Sequence, residues 1–571
     1  MTELSCLPYS VGYEDEGVCL NIQIGPYSIL LDCGLTDISE LLQQPADFVF
    51  CSHAHTDHIR GLLPLHRAFP QLPIFSSAVT AKLLPLNWPQ QEDTHFCRAL
   101  PWRTETEIAP GLSVQLWPAG HMPGAACFLL TYQTAQRSYS VFYSGDCFLS
   151  NGRLVDGMPL AELRNLKPNV LIVEGSYGTE RHPHRKQQEN YVVERLGEAL
   201  ANQGRAIFPV PLLGLGQELL MLLRSHHHFT GQPIDIWVDP LVAASCDAYL
   251  GCLSALPATV QNFAQHQPLF WDERVLPRVR RLGELETREL EASELETGDR
   301  TTAASDSAVF IVHPATHPSL YCQADGSYWT VFTPDVDNIA LWQSQLDTRY
   351  HQFDWLGELA TILAPKLEHY MLTNHCDGVG TTQLIHNLRP QHVIFVHGGV
   401  QQLTDLASLD DLQARYQLHL PTPDQTIELP LASEFWQPAP PGNLLYEGEV
   451  NAEPGGIQLR LPASLEGDPR WVQLADTGIV EASWQGDQLV IRGLTQKELM
   501  QLPPKKRVNP AAVNEDNSMA RGEVLGPPST CYYCRHLRGQ RCRNPESPLV
   551  GLQVTSDGSC AVFERSGQYS G

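Results

Sequence analysis

The feature that most constrains this chain is a run of six residues, His53-Ala54-His55-Thr56-Asp57-His58, placed directly after the apolar stretch Phe48-Val49-Phe50-Cys51. The apolar stretch reads as a buried strand. A strand that ends in a ligand-dense loop presents several donors from one rigid edge. Three imidazoles and a carboxylate suit zinc, which takes nitrogen and oxygen donors at about 2.0–2.2 Å. His53 and His55 would face one ion, while Asp57 and His58 would turn towards a second. A chance cluster of surface histidines is the competing reading, and the metal reading outweighs it.

Further donors follow in order along the chain. His121 lies in Pro118-Ala119-Gly120-His121-Met122-Pro123-Gly124, a turn after the strand Val114-Gln115-Leu116-Trp117. Asp146 lies in Tyr143-Ser144-Gly145-Asp146, at the end of a strand expected to pair with Phe128-Leu129-Leu130. His397 ends the apolar run Val393-Ile394-Phe395-Val396, just before Gly398-Gly399. Singly, a histidine at a strand end is more often structural. With the first loop, these residues complete two zinc sites. Asp32, ending Ile29-Leu30-Leu31, reads as a brace for the ligand loops rather than a ligand.

In these motifs the chain resembles the metallo-β-lactamase fold family. Three more narrow the resemblance to the β-CASP branch, the nucleases related to the pre-mRNA 3′-end endonuclease and bacterial ribonuclease J. Glu174 sits in Val173-Glu174-Gly175-Ser176-Tyr177-Gly178, similar to the family's E-S-T-Y-G. His375 sits in Thr373-Asn374-His375-Cys376-Asp377, similar to its S-A-H-x-D, and Val396-His397-Gly398 is similar to its closing H-G. The resemblance covers roughly residues 1–435, with seven motifs in the family's order.

The resemblance implies an α/β protein, a metallo-β-lactamase αββα sandwich with an inserted α/β β-CASP cap. It implies that His53, His55 and His121 bind one zinc, that Asp57, His58 and His397 bind the other, and that Asp146 bridges them. His375, Glu174 and Asp57 are then the catalytic residues. Two metals about 3.5–4 Å apart activate a water and clamp both oxygens of an in-line displacement at phosphorus. His375 would be the general acid that protonates the leaving oxygen, with Glu174 holding and polarising its imidazole.

Two positions depart from the family pattern. After Ala206-Ile207-Phe208, the family's G-R-x-Q-E helix start is here Gly214-Leu215-Gly216-Gln217-Glu218, with Leu215 in the arginine position. After Val309-Phe310-Ile311-Val312, the family has a glycine-methionine turn close to the substrate phosphates. This chain has His313-Pro314-Ala315-Thr316-His317 instead. The departures touch the RNA-gripping surface rather than the metals.

At 571 residues the chain suggests three to five units of about 100–200 residues, and its 43% hydrophobic content suffices for several cores. No apolar run approaches the ~20 residues of a membrane span. Met1-Thr2-Glu3-Leu4-Ser5 lacks the basic and apolar regions of a signal peptide. Cys33, Cys51, Cys127 and Cys147 sit in apolar, core-like strands at no paired spacing, as free buried thiols do. The expectation is a cytoplasmic protein with no membrane partner.

A net charge of −26 argues against a general nucleic-acid coat protein, though a nuclease needs only a local positive groove. Arg181, His182, His184, Arg185 and Lys186 are candidates for that groove, with Arg181, Arg185 and Lys186 as the RNA contacts. The same stretch reads equally as an ordinary solvated loop. The acidic run from Gly283 to Glu296 reads as an exposed helix or flexible insertion, and His226-His227-His228 as a surface feature.

These assignments divide the chain into a first core part over 1–177, the cap over 178–367 and a core return over 368–435. A small β accessory module over 436–500, a linker over 501–530 and a four-cysteine tail over 531–571 follow. The cleft between core and cap would admit an extended strand, and cap opening would control access. In the tail, Cys531, Cys534, Cys542 and Cys560 are the full complement for a further tetrahedral zinc, and they also suit an iron–sulfur cluster. Arg535, Arg538, Arg541 and Arg543 beside them could contact nucleic acid or dock the chain on a protein.

The reading is a di-zinc phosphodiesterase acting on RNA, a ribonuclease of RNA processing or decay. Single-stranded DNA is a second candidate substrate, and a homodimer or an RNA-processing protein a candidate partner. Endonucleolytic and exonucleolytic cleavage both fit. The alternatives are a hydrolase of a small ester or thioester, and a non-catalytic subunit of an RNA-processing assembly.

Overall fold

Leu4–Val11 alternates buried and half-exposed residues, the period of a strand with one face on a core. The computed structural model describes residues 4–13, 17–164, 166–201, 204–282, 307–322, 328–334, 352–363 and 365–431, and the short segments 449–453, 456–460, 480–485, 488–493, 536–538 and 541–542. In it, Leu4–Val11 pairs antiparallel with Val18–Ile24, which pairs antiparallel with Tyr27–Leu31. Phe48–Phe50, Ile74–Ser77 and Cys97–Leu100 then add in parallel, and Ile427–Glu428 closes the opposite edge.

A second seven-stranded sheet runs Gln417–His419, His392–Val396, Val170–Glu174, Ser138–Tyr143, Ala126–Gln133, Leu112–Pro118, Thr106–Ala109. Its first four strands are parallel and its last three antiparallel, with Tyr143 opposite Phe128 as the apolar pattern suggests. The inner faces of the two sheets meet in one apolar layer. Leu20, Ile22, Ile29 and Phe50 there pack with Phe128, Tyr143, Ile172 and Val396. The Phe50 and Phe128 rings lie 5.1 Å apart across it. The outer faces carry helices: Leu62, Leu65 and Leu83 cover Val49 and Ile74, while Leu384, Ile385 and Leu403 cover Val173 and Phe395. This is an αββα sandwich.

The cap is a six-stranded, all-parallel sheet in the order Arg278–Arg281, Asp235–Val238, Ala308–Val312, Arg205–Pro209, Trp329–Pro334, Lys366–Tyr370. Parallel sheets need cover on both faces, which is why the inner strands Asp235–Val238, Ala308–Val312 and Arg205–Pro209 are wholly or almost wholly buried, while the edge strands carry charge. Ala206, Phe208, Ile236 and Val238 pack under Val192, Leu196, Leu219 and Val242 on one face. Ile207, Trp237 and Phe310 pack with Trp355 and Leu359 on the other. The covering helices run Arg185–Leu200, Leu215–Ser225 and Pro240–Leu250. The first begins at Arg185, itself buried, with His184 as its N-cap.

The chain folds as two compact units, Met1–Pro438 and Ala439–Gly571. In the second unit, Glu449–Glu453 pairs with Gly456–Arg460, and Val480–Gln485 with Gln488–Gly493, both antiparallel. Leu537–Arg538 pairs with Arg541–Cys542. The acidic run, the linker, and Cys531, Cys534 and Cys560 lie outside the described residues, so the tail-metal expectation stays with the sequence. Among the described residues no helix is long and apolar enough to cross a membrane, and eleven cysteines are free.

The His313–His317 turn has a structural anchor. Asp239, N-cap of Pro240–Leu250, accepts from Val242 N at 2.8 Å, from Thr316 Oγ1 at 3.0 Å and from His313 N. Burial pushes its carboxyl up to about 6 against these hydrogen bonds. The folded state therefore holds a proton that the unfolded chain, with a carboxyl near 3.9, has already lost. Stability should then fall as pH rises from about 4 to 6. Asp239→Asn removes this contribution. Between pH 4 and 7 the unfolding free energy of the natural chain should drop by roughly 2–3 kcal/mol relative to that variant in urea titrations. Parallel curves for the two proteins would refute the assignment.

Candidate metal centre

The six-residue run is two conformations in one. His53 and Ala54 lie outside any helix or strand, His55 is extended, and Thr56–Ile59 closes into a single helical turn with His55 as its N-cap. The first half sends His53 and His55 one way, and the helical turn sends Asp57 and His58 the other. The sequence expectation of one loop is corrected to this extent. Gly34 makes the packing possible: a Cβ there would sit 1.7 Å from the Asp57 carbonyl oxygen. Asp146, Glu174 and His397 arrive from the C-terminal ends of neighbouring parallel strands, so backbone direction alone brings them to one edge.

Two groups of donors result. His53, His55, His121 and Asp146 form one, with donor atoms within 4.8 Å of one another, and Asp57, His58 and His397 form the other. Asp146 spans both. Its Oδ2 lies 3.3 Å from His53 Nε2 and 3.7 Å from His121 Nε2, and its Oδ1 lies 3.3 Å from His58 Nε2. His397 Nε2 lies 3.2 Å from Asp57 Oδ2.

Each imidazole is oriented through its other nitrogen, as ligand histidines are. Ser52 Oγ lies 3.0 Å from His53 Nδ1, and Asp32 Oδ2 lies 2.7 Å from His58 Nδ1. Ser176 Oγ lies 3.0 Å from His397 Nδ1. The remaining two are held by backbone carbonyls, Asn374 at 3.0 Å from His121 Nδ1 and Leu213 at 3.3 Å from His55 Nε2. Asp32, at φ 56°, also accepts from Ser52 N, Ser52 Oγ and Tyr143 OH, each at 2.6 Å. It braces the ligands, as its position in the sequence suggests.

The electrostatics divide the same way. Burial pushes His53, His55 and His121 down, His55 to about 3, so these rings stay neutral and keep a lone pair for a ligand bond. Burial would raise the Asp57 and Asp146 carboxyls, but the surrounding histidines hold both well below the usual range. Burial also opposes charge on His58 and His397. The carboxylates around them outweigh it and raise both.

The donor set fits metal. Both oxygens of Asp146 and Nε2 of His58 are buried with no hydrogen-bond partner, a costly state for polar atoms unless an ion takes them up. Asp146, Glu174, His375 and His397 also fall within one donor radius. The Glu174 oxygens are already occupied. Oε1 accepts from Cys147 N at 2.6 Å, while Oε2 accepts from Ser176 Oγ and lies 2.8 Å from His375 Nδ1. Glu174 and His375 are therefore a pair beside the metal groups. The His375 ring lies 4.5 Å from that of His121 and stacks 5.7 Å from that of His397.

Of the candidate RNA contacts, Lys186 is exposed and Arg181 half-buried. Arg185 is corrected: it is 7% exposed and donates inward to Thr373 O and Glu218. Sequence reading missed Ser52, Ser176 and the Leu213 and Asn374 carbonyls. Ser176 and Asn374 stood inside recognised motifs, whereas a backbone acceptor has no side-chain signature. Leu215 lines a cavity of about 20 Å³ beside His121 with Met122, Leu154, Tyr249 and Leu372. That is room for about one water.

Asp32→Asn should weaken metal at the His58 group by about 10–100-fold while sparing the His53 group more, as read by chelator competition. Asp146→Ala should lower occupancy of both. A full metal complement in the Asp146 variant, by elemental analysis, would refute the shared-ligand geometry.

Residues 27–205 match the family model described as a beta-lactamase superfamily domain. An uncharacterized protein of Synechocystis sp. is 45% identical over 572 residues, covering 98% of this chain and 97% of that protein. The probable RNase MJ4 of Methanocaldococcus jannaschii is 28% identical over 236 residues, 37% of this chain and 54% of its own. Cleavage and polyadenylation specificity factor 73 of Drosophila melanogaster is 26% identical over 273 residues, 42% of this chain and 38% of its own. The matches thus span about half or less of these last two relatives. A near full-length relative, the matched domain and a parallel cap inserted in its sandwich lead to one family: the chain belongs to the β-CASP branch of the metallo-β-lactamase superfamily.

Proposed function

We propose that this chain hydrolyses phosphodiester bonds in RNA, with zinc held by His53, His55 and His121 on one side, by Asp57, His58 and His397 on the other, and by Asp146 between. The observation that carries the reading is the Glu174–His375 pair at 2.8 Å, buried beside both donor groups. Hydrolysis of an ester with a poor leaving group needs a proton donor at the departing oxygen. A thioester or activated ester does not. The pair therefore favours the phosphodiester over the thioester reading. Relatives named for RNase activity and for cleavage and polyadenylation support RNA as the substrate class.

Zinc at these donors supplies Lewis acidity and charge neutralisation for an in-line displacement at phosphorus. The chain's own residues do the rest. His53, His55 and His121 stay neutral through burial and are aimed by Ser52 Oγ and the Leu213 and Asn374 carbonyls. Glu174 accepts from His375 Nδ1–H, which orients the ring, and the imidazolium form then carries on Nε2 the proton to be delivered. As the bond from phosphorus to the leaving oxygen breaks, that oxygen takes the His375 proton. Glu174 meanwhile stabilises the imidazole and is itself kept in place by Cys147 N and Ser176 Oγ. The cap brings Leu213 and Gly214 against His55 and thereby walls one side of the site.

The test is incubation of the purified chain with labelled RNA, single-stranded DNA and a generic thioester, with and without chelator. Cleavage of RNA that chelator abolishes and zinc restores is the expected result. Turnover of the thioester alone would overturn the proposal. His375→Ala should retain metal and RNA affinity and lose about 10²–10⁴-fold in turnover.

A further inference from the structure

Four segments meet at one buried ion pair beside the site. Glu218, on Leu215–Ser225, accepts at Oε1 from Leu154 N and at Oε2 from Arg153 N, each at 2.8 Å. Both donors belong to the core loop that follows Asp146. Arg185, in the first turn of Arg185–Leu200, donates through one terminal nitrogen to Glu218 Oε2 at 3.1 Å and through the other to Thr373 O. Gln188, one turn along on the same helix face, accepts from Thr373 N at 3.0 Å. The loop bearing His375 is thus gripped on both sides of one residue by the cap. Glu218 and Arg185 are 8% and 7% exposed, so water does not compete well for either charge.

What this grip controls is specific. Thr373 Oγ1 accepts from His375 N at 3.1 Å, and Cys376 N donates to Cys147 O at 2.9 Å. The His375 backbone is therefore suspended between a residue held by the cap and a residue adjoining Asp146. We infer that the Arg185–Glu218 ion pair is a positioning device, which docks the cap on the loop at Arg153 and Leu154 and, through Thr373, sets the reach of the His375 imidazole to the leaving oxygen. The inference rests on the phosphodiesterase reading above. Glu218 and Arg185 act through His375 and touch no reacting atom.

A role in proton delivery separates from a role in stability by the leaving group. The alcohol released from RNA needs a proton as it departs, whereas p-nitrophenolate departs without one. The experiment compares RNA with bis(p-nitrophenyl) phosphate for the natural chain, His375→Ala and Glu218→Gln, each with full zinc by elemental analysis. In Glu218→Gln the ion pair with Arg185 is lost while size is kept, and the single amide oxygen leaves an N–H facing either Leu154 N or the pair Arg153 N and Arg185, so the docking is loosened. Expected is a fall of about 100-fold in kcat on RNA, the cost of a displacement near 1 Å, with KM little changed. The loss on the aryl ester should be far smaller, and the alkaline limb of the kcat–pH profile on RNA, where the general acid is lost, should flatten as in His375→Ala.

Equal losses on the two esters, or undiminished RNA turnover, would overturn the inference. His375→Ala would still show the split between esters, leaving the proposed chemistry standing. If the natural chain cleaves neither ester, the phosphodiesterase reading fails and this inference with it. Should Glu218→Gln not fold, Arg185→Lys keeps the charge but loses the forked geometry that spans Glu218 and Thr373, and the same split is read from it.

Discussion

Asp32 is the interaction on which the site depends. A carboxylate buried without compensation would be expelled or neutralised. This one accepts from four donors, Ser52 N, Ser52 Oγ, Tyr143 OH and His58 Nδ1. Ser52 precedes the histidine run and Tyr143 comes from the opposite sheet, so one side chain ties both layers of the sandwich together at the metal end. The left-handed backbone at Asp32, uncommon for a residue with a Cβ, turns the carboxylate into that position. Strain of this kind persists only where surrounding contacts over-determine it, and four hydrogen bonds do so here.

Much of this was legible in the chain. The alternation of Leu4–Val11 and the apolar runs of the cap strands announce their elements, and residues 53–58 announce a metal site, because both signals are local. Asp146 and His397 are readable as strand-end donors beside the first loop. What escaped was long-range and backbone-borne. Nothing in the identity of Leu213 says that its carbonyl will hold His55, and Asn374 reaches His121 across 253 positions. Arg185 was misread for a related reason. A cationic residue near a motif looks solvent-facing in one dimension, and only the fold reveals the acceptors Glu218 and Thr373 that allow its burial.

The departures from the family pattern also take a physical form. Leu215 contributes to an apolar wall beside His121, while its neighbour Leu213 gives a carbonyl to His55. The cap's share of this side of the site therefore joins an apolar wall and a backbone carbonyl to the Arg185–Glu218 ion pair. The His313–His317 turn is held from within by Asp239. Both changes lie in the cap and leave the ligands from the core as the family pattern has them.

The insertion of the cap between two core strands has a temporal consequence. Val170–Glu174 pairs in parallel with His392–Val396, and the whole cap lies between them in the chain. A ribosome makes about 5–20 residues per second. The first core part therefore waits on the order of ten seconds or more for its partner strand, and for His375 and His397 with it. A nascent chain holds most of its ligands yet lacks both the last of them and the paired histidine. The site is completed only when nearly all of the first unit has been made, so catalytic competence on this reading is a late event in the birth of the molecule.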